Sequence, residues 1–230
     1  LIITVGFLLL GIVHGIIKSA PSIDDVSIVP SSYSTTVYNS DNKEIAKLIT
    51  SGSNRIKVSL DQVPTYLRWA FIDTEDARFY EHNGIDIQGI GRAALIAVTT
   101  LNPSEGASTI TQQVLKNNVF TDWTSESAFL SSLKRKIQEQ YLALELEKVW
   151  DKDQILECYM NSINLGQNTL GVKAAAQRYF NKPTYQLTLS ECAVIAGITQ
   201  NPSKYNPISH PDKNAERREK VLNNMKEQGM

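Results

Sequence analysis

The sequence has few of the residues that build metal centres and disulfide frameworks. Its 230 residues include two cysteines, Cys158 and Cys192, and three widely separated histidines, His14, His82 and His210. Because no Cys-x-x-Cys or Cys/His ligand spacing occurs, a structural zinc site is not expected. Both cysteines lie in apolar helical patterns, where an unpaired cysteine usually behaves as a small buried hydrophobic residue. A disulfide between them is the alternative.

An excess of positive charge is also lacking. The formal net charge is −1, so the chain has no broad electrostatic surface for nucleic acid, and any anion-binding site must be local. The sequence contains no repeat and no low-complexity tract. An apolar fraction of 42% with 20% charged residues is typical of a globular protein. This length predicts one domain, or one domain with a small appendage.

The N-terminal segment is almost entirely apolar. Residues 1–17 contain no charged side chain, and the run ends at Lys18. As a helix this run would be roughly 25 Å long, slightly short of a bilayer core. Because the chain begins with Leu1, we expect residues 1–18 to be a truncated transmembrane anchor. The core of a signal peptide is the alternative.

The next segment, residues 19–58, is predicted to be a linker followed by a β-hairpin. Residues 19–32 are rich in Ser, Pro and Asp, as in a connector. Residues 33–38 and 44–49 favour strands, and the polar residues between them suit a turn.

From residue 59 to residue 230 the patterns are helical, which predicts a mainly α domain. Asp151 with Gln154 and Thr188 with Glu191 have the spacing of capping boxes. We expect helices ending at Glu75, over about 86–101, around 109–117, over about 126–149, up to Phe180, and from Pro211 to the end. The buried stripe predicted for the long helix consists of Phe129, Leu130, Leu133, Ile137, Tyr141 and Leu144.

Two polar runs stand out in the first half of this domain. The first, Glu75–Gly84, has two adjacent acids followed by an aromatic residue, a histidine and a glycine. A carboxylate at the end of a helix is a candidate proton acceptor, and the glycine suits a rigid turn. In the second run, residues 106–117, one helical stripe of amide, hydroxyl and ammonium groups indicates a binding surface rather than a solvated face. That stripe contains Thr109, Gln112, Gln113 and Lys116.

A third cluster lies on the long helix, where Arg135, Lys136 and Glu139 fall within two turns. On this segment alone, the simpler interpretation of Arg135 and Glu139 is a surface ion pair.

These runs resemble the peptidoglycan glycosyltransferases of glycosyltransferase family 51, which occur in class A penicillin-binding proteins and as monofunctional enzymes. The resemblance covers about residues 33–228. Five ordered motifs give it a specificity that one motif alone would lack. They are Glu75-Asp-x-x-Phe-x-x-His-x-Gly84, Gly106-x-Ser-Thr-x-x-Gln-Gln-x-x-Lys-Asn117, Arg135-Lys-x-x-Glu139, Ile155-Leu-Glu-x-Tyr-x-Asn161, and Ala174-Ala-Ala with Tyr179-Phe180.

The resemblance implies a lysozyme-like helical domain with a smaller lobe near the membrane. It implies lipid II and the lipid-linked glycan strand as substrates, a cell-wall synthesis complex as a further partner, and a single-pass protein whose catalytic domain, residues 59–230, lies outside the cytoplasm. Glu75 would be the general base for inverting transfer, and a polyprenyl diphosphate would leave. Glu139 would be a second catalytic acid.

The resemblance also implies a set of substrate-binding residues. They are Asp76, Phe79, His82, Gly84, Ser108, Thr109, Gln112, Gln113, Lys116, Asn117, Arg135, Lys136 and Asn161. Within this set, Phe79 is expected to pack, His82 to brace the turn, and Asn161 either to line the cleft or to cap a helix. Glu139 is expected to orient the cations or to recruit a divalent ion, Mg²⁺ or Mn²⁺. No organic cofactor is expected.

Two other functions compete with synthesis. A lytic transglycosylase or muramidase shares the helical body and one glutamate, but Asp76 stands where those enzymes usually have serine, and the cations have no evident use in cleaving an uncharged bond. A catalytically silent, membrane-anchored scaffold is the other alternative. The sequence also departs from the family after the second motif, where residues 121–124 lack the usual basic residue.

Overall fold

The protein is mainly α-helical, as predicted. A computed structural model describes residues 2–30, 32–49, 54–100, 106–120 and 129–230. The helices in this part of the chain are α1 (Ile2–Lys18), α2 (Thr65–Glu75), α3 (Ile87–Thr100), α4 (Ile110–Asn118), α5 (Phe129–Val149), α6 (Lys152–Ser162), α7 (Val172–Phe180), α8 (Leu189–Ile198) and α9 (Pro211–Glu227). The predicted helices are therefore confirmed. Residues 121–128, which include the loop that departs from the family and the predicted start of the long helix, lie outside the described residues.

The predicted hairpin is also confirmed. Strands β1 (Thr35–Tyr38) and β2 (Glu44–Leu48) form a two-stranded antiparallel sheet. Asn39 closes the turn, because its side-chain Oδ1 accepts hydrogen bonds from the backbone N–H groups of Asp41 and Lys43 at 3.0 and 2.8 Å.

The core is built where α2, α4, α6, α8 and α9 pack together. At its centre, the fully buried rings of Phe71 on α2 and Tyr159 on α6 meet edge to face, with their centroids 5.7 Å apart. The interior also contains both cysteines, which are free and buried as predicted. Burial raises the pKa of the Cys158 and Cys192 thiols to about 12, so both remain protonated and unreactive.

Capping boxes fix the starts of three helices. The two predicted boxes are present at Asp151 and Thr188. A third box was not predicted. The Thr109 hydroxyl accepts from the Gln112 backbone N–H at 3.2 Å, and the Gln112 side chain accepts from the Thr109 backbone N–H at 3.1 Å. Two members of the predicted binding stripe thus form the start of α4.

The buried stripe predicted for α5 is wrong in part, although Tyr141 packs against the core as predicted. Leu130, Leu133 and Leu144 are exposed, and the fully buried apolar residues of this helix are Leu142, Ala143 and Leu146. Periodicity reports an apolar stripe but not which neighbours cover it. The core side of α5 also contains the buried polar residues Gln138 and Glu139, so Glu139 is not part of a surface ion pair.

The apolar N-terminal segment forms α1, which packs against α5. The Gln138 amide donates to the Ile16 carbonyl at 3.3 Å and to the Ser19 hydroxyl at 3.1 Å. Of the helices in the described ranges, none has the length and apolar character needed to cross a membrane. The structure therefore gives no support to the prediction of a transmembrane anchor, although a helix forms where it was expected.

We expect a chain that begins at Ala20 to keep its fold. Most of the apolar surface of α1 faces away from the protein, with Phe7 and Leu10 at 72% and 65% exposure. Circular dichroism and thermal unfolding in detergent-free buffer test this expectation. Loss of helical signal or of a cooperative transition would show that α1 is part of the folded core.

Candidate active site

Glu75 ends α2 and is held at the junction of three helices. Its Oε2 accepts a hydrogen bond from Gln113 Nε2 of α4 at 3.0 Å, and its Oε1 accepts from the hydroxyl of Thr199, which follows α8, at 2.5 Å. Gln113 is itself oriented by the buried Tyr159, whose hydroxyl donates to its Oε1 at 3.4 Å. A carboxylate has about four acceptor positions, so two remain for a further proton donor.

Asp76 ties the turn after α2 to the start of α4. Its buried carboxylate accepts from the backbone N–H of Ile110 at 2.9 Å, and His82 Nε2 lies 2.9 and 3.0 Å from its two oxygens. The start of a helix favours a carboxylate, because its N–H groups point toward the negative charge. His82 therefore braces the turn through Asp76.

Gly84 closes the same turn. It has a φ of +85°, and a side chain at this position would collide with the Ala143 carbonyl of α5. The Thr109 hydroxyl donates to its carbonyl at 2.7 Å. The turn is thus fixed against both α4 and α5, and the contacts of Gly84 and Thr109 are structural.

The first cavity at the site has a volume of about 460 Å³. Lys136 is fixed at its wall, since its Nζ lies 2.6 Å from Glu139 Oε1 and donates to the Ser108 hydroxyl at 2.8 Å. The Glu139 side chain is 5% exposed, so the ion pair is shielded on one side. The predicted site residues that line this cavity are Glu75, Ser108, Gln113, Lys116, Asn117, Arg135, Lys136 and Glu139.

Besides the turn residues Asp76, His82, Gly84 and Thr109, three further predicted site residues do not line the first cavity. Phe79 is fully buried in the core, and Gln112 is 1% exposed. Asn161 exchanges hydrogen bonds with the backbone of Val58, at 2.9 Å and 2.7 Å, and so fixes the segment before α2 against α6. It faces a different cavity, of about 580 Å³. Their contacts are those of packing and bracing residues.

A second cavity, also of about 460 Å³, adjoins the first at Glu75. Glu75, Thr74, Ser108, Gln200 and Arg217 line both cavities. The second one is further lined by Asp73, Asp76, Arg78, Asp86 and Arg92. Glu75 therefore stands where two polar cavities adjoin, a geometry in which two substrates can meet at one carboxylate.

Sequence reasoning missed Asp73, Thr199, Gln200 and Arg217. Asp73 had a usable signal, since it follows the buried residues Phe71 and Ile72 of α2, where an acid is unexpected. Thr199 had no signal in the sequence, because its position beside Glu75 depends on how α8 packs against α2.

Asp73 gives a prediction about stability. Burial raises the pKa of its carboxyl to about 6. Since the unfolded pKa is lower, ionisation favours the unfolded chain as the pH rises from about 4 to about 6. We expect Asp73→Asn to stabilise the protein at pH 8, by on the order of 2 kcal/mol, and to change little at pH 4. Urea unfolding at both pH values measures the difference, and destabilisation at pH 8 would contradict it.

The metal prediction finds no support in the side chains that surround the cavity. In the described ranges, no group of three or more His, Cys, Asp or Glu residues is placed to hold an ion. Glu139, the acid expected to recruit a divalent ion, is instead paired with Lys136. These residues do not fit a metal held by the protein alone, and no chemical step is assigned to one.

The comparisons with known proteins agree on one family. The sequence profile of the Transglycosylase family matches residues 41–226. Penicillin-binding protein 1A/1B of Bacillus subtilis is 41% identical over an alignment of 227 residues, and the match covers 96% of this chain and 24% of that protein. Penicillin-binding protein 1A of Escherichia coli is 46% identical over 196 residues, covering 84% of this chain and 22% of that protein.

The chain spans about a quarter of the length of these curated relatives. Among solved structures, a crystal structure of penicillin-binding protein 1A from Haemophilus influenzae matches with a TM-score of 0.47 and 27% sequence identity, covering 88% of this chain and 19% of that one.

Proposed function

The chain belongs to the transglycosylase family, and we propose that it is a peptidoglycan glycosyltransferase that polymerises lipid II. In this reaction the 4-hydroxyl of one sugar, the acceptor, attacks the anomeric carbon of the lipid-linked donor strand. The new C–O bond forms as the bond to the polyprenyl diphosphate breaks, and the configuration inverts. The position of Glu75 between two polar cavities is the observation that supports this proposal most strongly.

Glu75 acts as the general base. A sugar hydroxyl is a poor nucleophile at neutral pH, so a positioned carboxylate must take its proton as the new bond forms. Gln113 and Thr199 each donate a hydrogen bond to one oxygen of Glu75, and both donors are uncharged. The carboxylate thus stays oriented and retains acceptor capacity for the hydroxyl proton.

Lys116, Arg135 and Lys136 stabilise the leaving group. A departing diphosphate gains negative charge in the transition state, and cations already in place at that point lower the barrier without reorganisation. The three residues line one cavity together with the amide of Gln113 and the hydroxyl of Ser108. Glu139 orients Lys136, at 2.6 Å, and so acts through that cation.

The two cavities take the two substrates. The cavity with the cations receives the donor with its diphosphate, and the second cavity receives the acceptor, so that the attacking hydroxyl and the anomeric carbon meet beside Glu75. Holding both reactants in this way replaces a bimolecular encounter by an oriented reaction. Asp76 and His82 act as positioning residues for the turn that presents Glu75.

We further propose that the enzyme works at the outer face of the cell membrane, where its lipid-linked substrates reside. Residues 59–230 form the catalytic domain, and a cell-wall synthesis complex is the wider partner. The exposed apolar side chains of α1, including Phe7, Leu8 and Leu10, suit contact with lipid.

Incubation with lipid II followed by separation of the products tests the function. A polymerase yields glycan strands longer than a disaccharide. A lytic enzyme yields no polymer and cleaves preformed glycan, and a silent scaffold does neither. Absence of polymer at high enzyme concentration, with lipid II presented in detergent micelles or vesicles, would overturn the proposal.

A further inference from the structure

Three buried polar atoms beside Glu75 lack a hydrogen-bond partner among the residues that the structure describes. They are Asp73 Oδ2, Thr74 Oγ1 and Arg217 Nε. All three residues line the second cavity. Buried polar groups in folded proteins are nearly always hydrogen-bonded, so a cluster of exceptions requires an explanation. Its position next to the candidate base indicates that a ligand supplies the missing partners.

Asp73 is the most informative member of the cluster. It is 6% exposed and lies on α2, two residues before Glu75. No Lys, Arg or His of the described residues forms an ion pair with it. A buried acid without a cation destabilises the fold, and burial accordingly raises its pKa. Buried ionisable groups with a shifted pKa are frequent at functional sites, where their role in binding outweighs the loss of folding stability that they cause.

The cluster offers a mixed set of hydrogen-bonding groups. The Asp73 carboxylate only accepts hydrogen bonds, Arg217 Nε–H only donates, and the Thr74 hydroxyl can do both. A sugar presents hydroxyl and amide groups in close succession, and these donate and accept in turn. A simple anion would be repelled by the Asp73 carboxylate. The chemistry of the cluster therefore matches a neutral sugar.

We infer that Asp73 is a substrate-binding residue that accepts a hydrogen bond from a hydroxyl or amide N–H of the acceptor sugar. Thr74 and Arg217 supply donors to oxygen atoms of the same sugar. This role rests on the proposed function, since the acceptor is assigned to the second cavity because Glu75 is the base. It adds a specificity residue that the ordered motifs, which begin at Glu75, do not contain.

Asp73→Asn tests the inference, because it preserves shape and removes charge. Initial rates are measured with a fixed lipid-linked glycan donor and varied lipid II acceptor. We expect KM for the acceptor to rise about tenfold, kcat to stay within about twofold, and Tm at pH 8 to be no lower than in the wild type. Asp61→Asn, at an exposed aspartate that lines neither the first nor the second cavity, is the matched control and should leave KM unchanged.

Two acceptor analogues distinguish the two kinds of donor. One replaces the acetamido N–H by an ester oxygen, and the other lacks the 6-hydroxyl. The analogue that removes the true partner should raise KM about tenfold in the wild type and add nothing in Asp73→Asn. Unchanged KM in Asp73→Asn, additive effects of both analogues, or a raised KM with a lowered Tm would each overturn the inference. Failure of the wild type to polymerise lipid II would instead remove the proposed function.

Discussion

Glu75→Gln is expected to fold and bind lipid II normally while losing turnover by about a hundredfold or more. This is the usual scale for removing a general base. The glutamine keeps one oxygen to accept from Gln113 or Thr199, so the local geometry changes little. It has no carboxylate to take the hydroxyl proton. Steady-state rates of polymerisation, with circular dichroism and lipid II binding measured on the same preparation, separate a chemical defect from a structural one.

Glu145→Gln is the matched control for that variant. Glu145 lies on α5, where it pairs with Lys148 near the surface, and it lines neither cavity. Its loss should change turnover by less than twofold, because exposed ion pairs contribute little. Polymerisation by Glu75→Gln at a rate near that of the wild type, with an intact fold, would show that the base lies elsewhere.

Lys116→Ala is expected to lower kcat/KM for lipid II by roughly a hundredfold, which is the scale for removing one preorganised contact to a transition-state charge. Lys116 lines the first cavity with Arg135 and Lys136, and its side chain is exposed to solvent. High salt should inhibit the wild type, since mobile ions screen an exposed cation. The salt dependence should be weaker in the variant, which has one fewer contact to screen.

Lys148→Ala supplies the comparison for the cation. Lys148 is 65% exposed, pairs with Glu145 and lies outside the cavity. Its replacement should change kcat/KM by less than twofold. Equal losses in the two lysine variants would remove the argument that the first cavity holds a diphosphate.

The local structure was predictable because its signals are local. The start of α6 at Asp151, the hairpin turn at Asn39, and the end of α2 at Glu75 each depend on residues a few positions apart. The contact of His82 with Asp76 likewise joins residues a few positions apart in the chain.

The predictions that failed concerned features that depend on packing between distant segments. The exposed face of α5 was predicted to be buried, because periodicity does not reveal what covers a stripe. Gln112 had the pattern of a ligand but caps α4, and Thr199 reaches Glu75 only because α8 packs against α2. The sequence shows Asp73 as an acid among buried residues. It does not show the cavity that Asp73 lines, because that cavity is formed by segments distant in the chain.

The stoichiometry of leaving-group release tests the central claim most directly. Labelled lipid II is incubated with the wild-type protein, and polyprenyl diphosphate and incorporated disaccharide are quantified together over time. Glycosyl transfer predicts one diphosphate released for each disaccharide added to a strand, with both rates falling together in Glu75→Gln. Diphosphate release without strand growth, or strand shortening without release, would contradict the account.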